Sequence, residues 1–149
     1  MRLVIIGLFA TALSVQLVGD VATANHITKC FGERPTQMNR SHDPSGSFLV
    51  GTRRHDVIIA SQDGDHIEGR GGRDFICGLA NGDDPNFLED ILGGRGSDKL
   101  NGGKGRDNLV GQSGNDLLKG GPGRDRGKGG PGRDVCVDIE RRRSCEVVR

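Results

Sequence analysis

The sequence predicts an all-β fold, a coil of very short strands joined by tight turns and stacked unit upon unit. Three observations predict it. From Gly93 to Asp134 a nine-residue unit returns without slippage, as GGRGSDKLN, GGKGRDNLV, GQSGNDLLK, GGPGRDRGK and GGPGRD. Asp98, Asp107, Asp116, Asp125 and Asp134 are each nine apart, with glycine five and two residues before every one. Two residues after the Asp an apolar side chain recurs, at Leu100, Leu109 and Leu118. A fixed period of this kind marks a repeat architecture. One apolar residue per unit suits a short strand that turns a single side chain inward. Glycine reaches positive φ without steric cost, so the chain can turn tightly before each strand. A lone unit cannot bury its Leu, whereas stacked units share a narrow core.

The period extends upstream in degenerate form. Asp56, Asp65, Asp74 and Asp83 continue the acidic column, and Leu49, Ile58, Ile67 and Ile76 the apolar one. Phe48-Leu49-Val50 reads as a first strand. After Asp83 the register jumps by six residues, so residues 84–88, with Phe87 and Leu88, read as a surface insertion. Glu89 then falls in the acidic column, with Asp90 beside it as a substitute, and Ile91 in the apolar column. Gly127 stands where a Leu is expected, so the stack should loosen around Arg126-Gly127-Lys128; Cys136 takes the apolar position one unit later. This divides the chain into residues 25–47 as an irregular N-terminal cap, 48–136 as the coil, and 137–149 as a C-terminal cap or tail. Arg141-Arg142-Arg143 in that tail reads as a solvated face, with anion binding as the minor alternative.

Residues 1–24 precede this fold. Arg2, the apolar run from Leu3 to Val18 and Ala22-Thr23-Ala24 have the layout of a secretory signal, with cleavage expected after Ala24. The run is short for a membrane span, which needs about 20 apolar residues. A retained anchor is the competing reading. The remainder has no Trp or Tyr and many of the chain's 26 glycines, so its apolar core must be thin. Small chains of this kind need disulfides, metal or partners. Cys30, Cys77, Cys136 and Cys145 form an even set in a secreted context, which favours disulfides, and three pairings are possible. The nearness of Cys136 and Cys145 favours that pair, which leaves Cys30 with Cys77. A zinc site lacks the CxxC or HxxxH spacing it would need. The net charge of +1 implies neither nucleic acid nor an anionic membrane as partner.

The acidic column carries the chemistry. If two units complete one turn of the coil, Asp98, Asp116 and Asp134 line one edge and Asp107 and Asp125 the other. Stacked carboxylates repel unless something lies between them. Calcium takes six to eight oxygen ligands and accepts carboxylates and backbone carbonyls alike. Glycine turns expose such carbonyls, which makes Gly94, Gly96, Gly103, Gly105, Gly114, Gly121, Gly123, Gly130 and Gly132 candidate contributors. Affinity that arises only when the coil forms would link calcium binding to folding.

The units GGRGSDKLN and GGKGRDNLV resemble the nonapeptide GGxGxDxUx of the RTX, or hemolysin-type, calcium-binding repeats. The whole chain is similar to small secreted actinobacterial members of that family, which carry a Cys before the first repeat, an ICG (here Ile76-Cys77-Gly78) and a closing Cys pair ending in CE (here Cys145-Glu146). The resemblance covers about residues 48–136. It implies a parallel β-roll, a right-handed β-solenoid, with calcium held in the turns by Asp98, Asp107, Asp116, Asp125 and Asp134. Asp56, Asp65, Asp74, Asp83, Glu89 and Asp90 are further candidate ligands. The turns before Asp56, Asp65 and Asp83 lack several glycines and read as metal-free structural turns. Arg stands before Asp at positions 73, 106, 124 and 133, where the family more often has Asn or Asp; a nearby cation opposes a bound one.

Other classes find no support in the motifs. A flexible linker would show no period, and collagen requires glycine at every third residue. There is no GxSxG, no HExxH and no EF-hand loop, and Gly103-Lys104 is followed by Gly105 rather than the Ser or Thr of a P-loop. An enzyme is therefore not expected. His55 and His66 adjoin column Asp residues and read as exposed turn residues rather than accessory ligands; His26 and His42 are scattered. The expected function is that of a secreted, extracellular calcium-binding protein. The alternative is an adhesive or envelope-associated module with a protein or glycan partner, for which the 84–88 insertion is the candidate contact.

Overall fold

The computed structural model describes residues 30–38, 48–60, 64–80 and 88–147. Among them there are strands and turns but no helix. The strands are β1 Gln37–Met38, β2 Phe48–Val50, β3 Val57–Ile59, β4 His66–Gly71, β5 Phe75–Ala80, β6 Asp90–Arg95, β7 Lys99–Gly103, β8 Asn108–Ser113, β9 Leu117–Lys119, β10 Arg126–Lys128, β11 Val135–Val137, β12 Arg141–Arg143 and β13 Glu146–Val147.

Odd-numbered strands form one parallel sheet, in the order β1-β3-β5-β7-β9-β11-β13, and even-numbered strands form the other, β12-β10-β8-β6-β4-β2. The chain thus crosses from sheet to sheet at every unit and returns to the same sheet after two. This is the parallel β-roll that the resemblance of the repeats implies, and the stacked coil that the period predicts. Leu100 pairs with Leu118, and Ile91 with Leu109, one full turn later. Ile67 pairs with Ile91 and Ile76 with Leu100 across a longer interval, which accommodates the six-residue jump without breaking either ladder. Of the insertion, only Leu88 is described, and it is 53% exposed. Residues 1–24, read as a signal, and Phe87, Asp83, His26 and His42 lie outside the described residues.

Side chains alternate faces along a strand. The middle residue of each short strand points between the sheets, where Ile58, Ile67, Ile76, Ile91, Leu100, Leu109, Leu118 and Cys136 form a continuous core with no exposed surface. Burying one such aliphatic side chain stabilises the fold by about 1.5–3 kcal/mol, so a one-residue-per-unit core is strong only because it is long.

A second cluster sits on the outer face of the odd-numbered sheet. Val57, Ile59, Phe75 and Cys77 point away from the main core and are covered by Cys30 and Phe31. The Phe31 and Phe75 rings meet edge to face at 5.7 Å, and a Cys30–Cys77 disulfide fastens the cover. A Cys136–Cys145 disulfide ties the other end. The N-terminal segment is more regular than expected, since β1 lies within residues 25–47 and continues the odd-numbered sheet beside β3. The C-terminal tail likewise contributes β12 and β13, one strand to each sheet.

The expected loosening at Gly127 does not occur. β10 is paired on both sides, with β8 and β12. A Cβ built on Gly127 would lie 2.7 Å from Cδ1 of Ile139 and 3.3 Å from Sγ of Cys136. Ile139, 3% exposed, arrives from the turn after β11 and occupies the volume of the missing leucine.

Candidate metal centre

The turn from Gly93 to Asp98 shows why the unit needs its glycines. Gly94 and Gly96 have φ of 116° and 128°, a region that side chains disfavour. Gly93 has no such φ, yet a Cβ there would lie 2.8 Å from Oδ2 of Asp98 and 2.8 Å from the carbonyl oxygen of Gly111. The first glycine of the unit therefore leaves a space on which a carboxylate oxygen and a backbone carbonyl of the next turn both converge. The arrangement recurs at Gly69, with Asp74 Oδ2 and Gly93 O, and at Gly111, with Asp116 Oδ2 and Gly129 O. Gly120 and Gly129 repeat it near the end of the roll, where the carbonyls come from Asp138 and Ser144.

The acids themselves form two buried files. Asp98 N–H donates to Oδ1 of Asp116 at 2.9 Å, and Asp116 N–H to Oδ1 of Asp134 at 2.9 Å. On the other edge Asp107 N–H donates to Oδ1 of Asp125 at 2.9 Å. These are the two edges expected from a repeat of 18 residues per turn. Upstream the files continue through Asp56 to Asp74 and on to Asp98, and through Asp65 to Glu89 and on to Asp107. All nine of these acids are 5% exposed or less.

In Asp74, Asp98, Asp107, Asp116, Asp125 and Asp134 one carboxylate oxygen, Oδ1, is satisfied by a backbone N–H. The other is not. Oδ2 of Asp74, Asp98, Asp107, Asp116, Asp125 and Asp134 is buried without a hydrogen-bond partner. Burial without compensation disfavours the charged form. It raises the Asp74 carboxyl to about 7, and the Asp107 and Asp116 carboxyls to about 6, against an ordinary value of 3.8; backbone N–H donation acts the opposite way. Asp98 and Asp125 are raised by burial as well.

Asp56 differs. Its Oδ2 accepts from Thr52 N–H at 2.6 Å and from the Thr52 hydroxyl at 2.8 Å. Thr52 supplies from within the turn what the glycine turns leave missing, which fits its reading as a structural turn. Glu89, not Asp90, occupies the column. The Asp90 carboxylate turns outward and bonds His66 Nδ1 at 3.0 Å and Asn108 Nδ2 at 2.7 Å. His55 contacts the Arg73 carbonyl and packs against Phe75. His66 stacks on Phe48.

Two contributors were not singled out from the sequence. The first glycines, Gly93, Gly102, Gly111, Gly120 and Gly129, carry the Asp Oδ2 contact, and their signal was the glycine five residues before each Asp. Glu140 ends the Asp107–Asp125 file by accepting the Asp125 N–H at 2.6 Å, at an interval of 15 residues that the nine-residue period does not reach.

Among the described residues no three His, Cys, Asp or Glu side chains converge on one point. An ion in these turns would be held by carboxylate oxygens of the file together with backbone carbonyls, a donor set suited to calcium and poor for zinc. The orphaned Oδ2 atoms and the space beside each first glycine fit that demand.

A family model described as the RTX calcium-binding nonapeptide repeat matches the chain in four copies, over residues 49–84, 89–118 and 102–136. No curated protein and no solved structure matches it.

Proposed function

Because this chain belongs to the RTX calcium-binding nonapeptide-repeat family, we propose that it is an extracellular calcium-binding protein whose ions sit along the two acidic files and couple binding to folding. The observation that carries this reading is the set of six buried Asp Oδ2 atoms without a partner. Each represents a desolvated charge that the protein alone leaves uncompensated, at a cost of several kcal/mol per ion in the absence of a counter-charge. Calcium supplies the missing positive charge and takes carbonyl oxygens to complete its shell. The files form only when the roll winds, so the binding free energy is available to folding. The disulfides and the signal-like N-terminus favour an extracellular setting.

Calcium titration followed by circular dichroism and thermal unfolding, with magnesium as control, tests the proposal. β signal and midpoint should rise with calcium in the millimolar range, the range of weak extracellular modules, and respond little to magnesium. An unchanged midpoint would remove it.

A further inference from the structure

The outer face of the even-numbered sheet changes sign along its length. Its outward positions read His66 and Glu68 on β4, Asp90 and Leu92 on β6, Asn108 and Val110 on β8, then Arg126 and Lys128 on β10 and Arg141 and Arg143 on β12. Arg126 pairs across the ladder with Arg141, and Lys128 with Arg143. Like charges directly opposite one another on neighbouring strands are destabilising. All four are exposed, and none makes an ion pair among the described residues. Glu140 beside Arg141 accepts the Asp125 N–H through Oε2, and Asp90, two strands away on β6, bonds His66 and Asn108. Two exposed turn arginines, Arg106 and Arg124, line one cleft with Arg126 and Arg141 at the same corner, four cations against the two acids Asp125 and Glu140 that also line it.

The near-neutral net charge conceals this segregation. Nine of the chain's 20 acidic residues lie buried in the files, which leaves 11 to set against 21 Lys and Arg. We infer that the β10–β12 face with Arg106 and Arg124 binds a phosphodiester polymer that carries no bases, such as a polyol-phosphate chain. Arginine's planar fork pairs phosphate oxygens two at a time. Their backbone positions stand about 4.8 Å apart across the ladder and about 6.6 Å apart along each strand, close enough for the long side chains to reach successive phosphates of an extended chain. No aromatic side chain stands among these outward positions on β8, β10 and β12, so the stacking that single-stranded nucleic acid relies on has no platform here.

The test uses the full chain in calcium-containing buffer and a fluorescently labelled poly(glycerol phosphate) oligomer, read by anisotropy over a salt series. The parent protein should bind with a strong salt dependence. R126T/K128T should weaken binding by at least about tenfold and flatten the slope of log K against log salt by about 1.4, the share of two phosphate contacts. R53T/R54T, which removes two exposed cations from the opposite end of the roll, should change neither. An unchanged thermal midpoint and calcium response in R126T/K128T separate loss of this face from loss of the fold or of the metal sites. Equal losses in the two double variants, no binding by the parent, or tighter binding of a single-stranded DNA of matched charge would each overturn the inference.

Discussion

Ile139 fills the volume that Gly127 leaves in the apolar column. Its Cδ1 lies 2.7 Å from the position of a Gly127 Cβ, and it joins the same buried cluster as Leu109 and Leu118. The core therefore continues through the one unit whose sequence breaks it, by borrowing a side chain from the turn after β11. Ile139→Ala should destabilise the protein by about 2–4 kcal/mol, because the cavity it opens has no residue free to collapse into it. Gly127→Leu alone should also destabilise, by overpacking against Ile139. Combined, G127L and I139A should recover much of the loss. Chemical unfolding in saturating calcium measures all three, and additive losses in the double variant would show that the two residues do not share one volume.

Gln112 adopts φ of 74°, and it stands where the other complete units have a second glycine. A non-glycine residue in this left-handed region costs about 1–2 kcal/mol, while glycine gives back part of that through its larger unfolded-state entropy. Gln112→Gly should therefore raise stability by about 0.5–1 kcal/mol. The reciprocal change, Gly94→Gln, should lower it by more, since a Cβ at Gly94 would also meet the carbonyl of Arg70. Unfolding midpoints in denaturant check both.

These two positions show what was legible in the sequence. The period of nine marked the inward residues and, given two units per turn, the two edges of acids, because a stacked coil repeats its contacts as faithfully as its sequence. Gly127 was recognisable as a gap, but its remedy was not. Ile139 reaches the core from a turn that obeys no period. Glu140 closes an acidic file from the same turn, at an interval set by the end of the roll. The strand Gln37–Met38 was invisible for a similar reason: two polar or flexible residues gain strand geometry only by pairing with Ile58 and Ile59. Repeating contacts can be read from the chain; contacts made once, where the repeat ends, depend on tertiary fit.

The files are not equivalent along their length. Asp116 Oδ2 has no partner, whereas Oδ2 of Asp56 is already bonded twice by Thr52 within its own turn. Asp116→Ala should weaken calcium binding about tenfold or more, the effect of losing a charged ligand to a divalent ion. Asp56→Ala should leave affinity nearly unchanged and lower stability by about 1–3 kcal/mol, through the stranded Thr52 donors and the lost bond to the turn. Calorimetric titration separates the two effects. Equal losses of affinity would mean that complete and degenerate turns hold metal alike.

Acid should stabilise the calcium-free roll. Burial raises the folded-state carboxyls of Asp74 to about 7 and of Asp107 and Asp116 to about 6, from 3.8 in the unfolded chain. Between those limits the folded state binds protons that the unfolded state has released. The resulting stability is fully present below the unfolded value and is lost as pH rises through the folded values. In calcium-depleted solution the unfolding midpoint should thus be higher near about pH 5 than near about pH 8. Calcium should reverse the trend, because protons and calcium compete for the same Oδ2 atoms. Added calcium should therefore raise the midpoint far more at the higher pH. Thermal scans at both pH values, with and without calcium, give the four midpoints. A calcium-free midpoint that climbs from acid to neutral pH would mean that the files carry their charge without penalty, and that the need for a counter-ion inferred from their burial is absent.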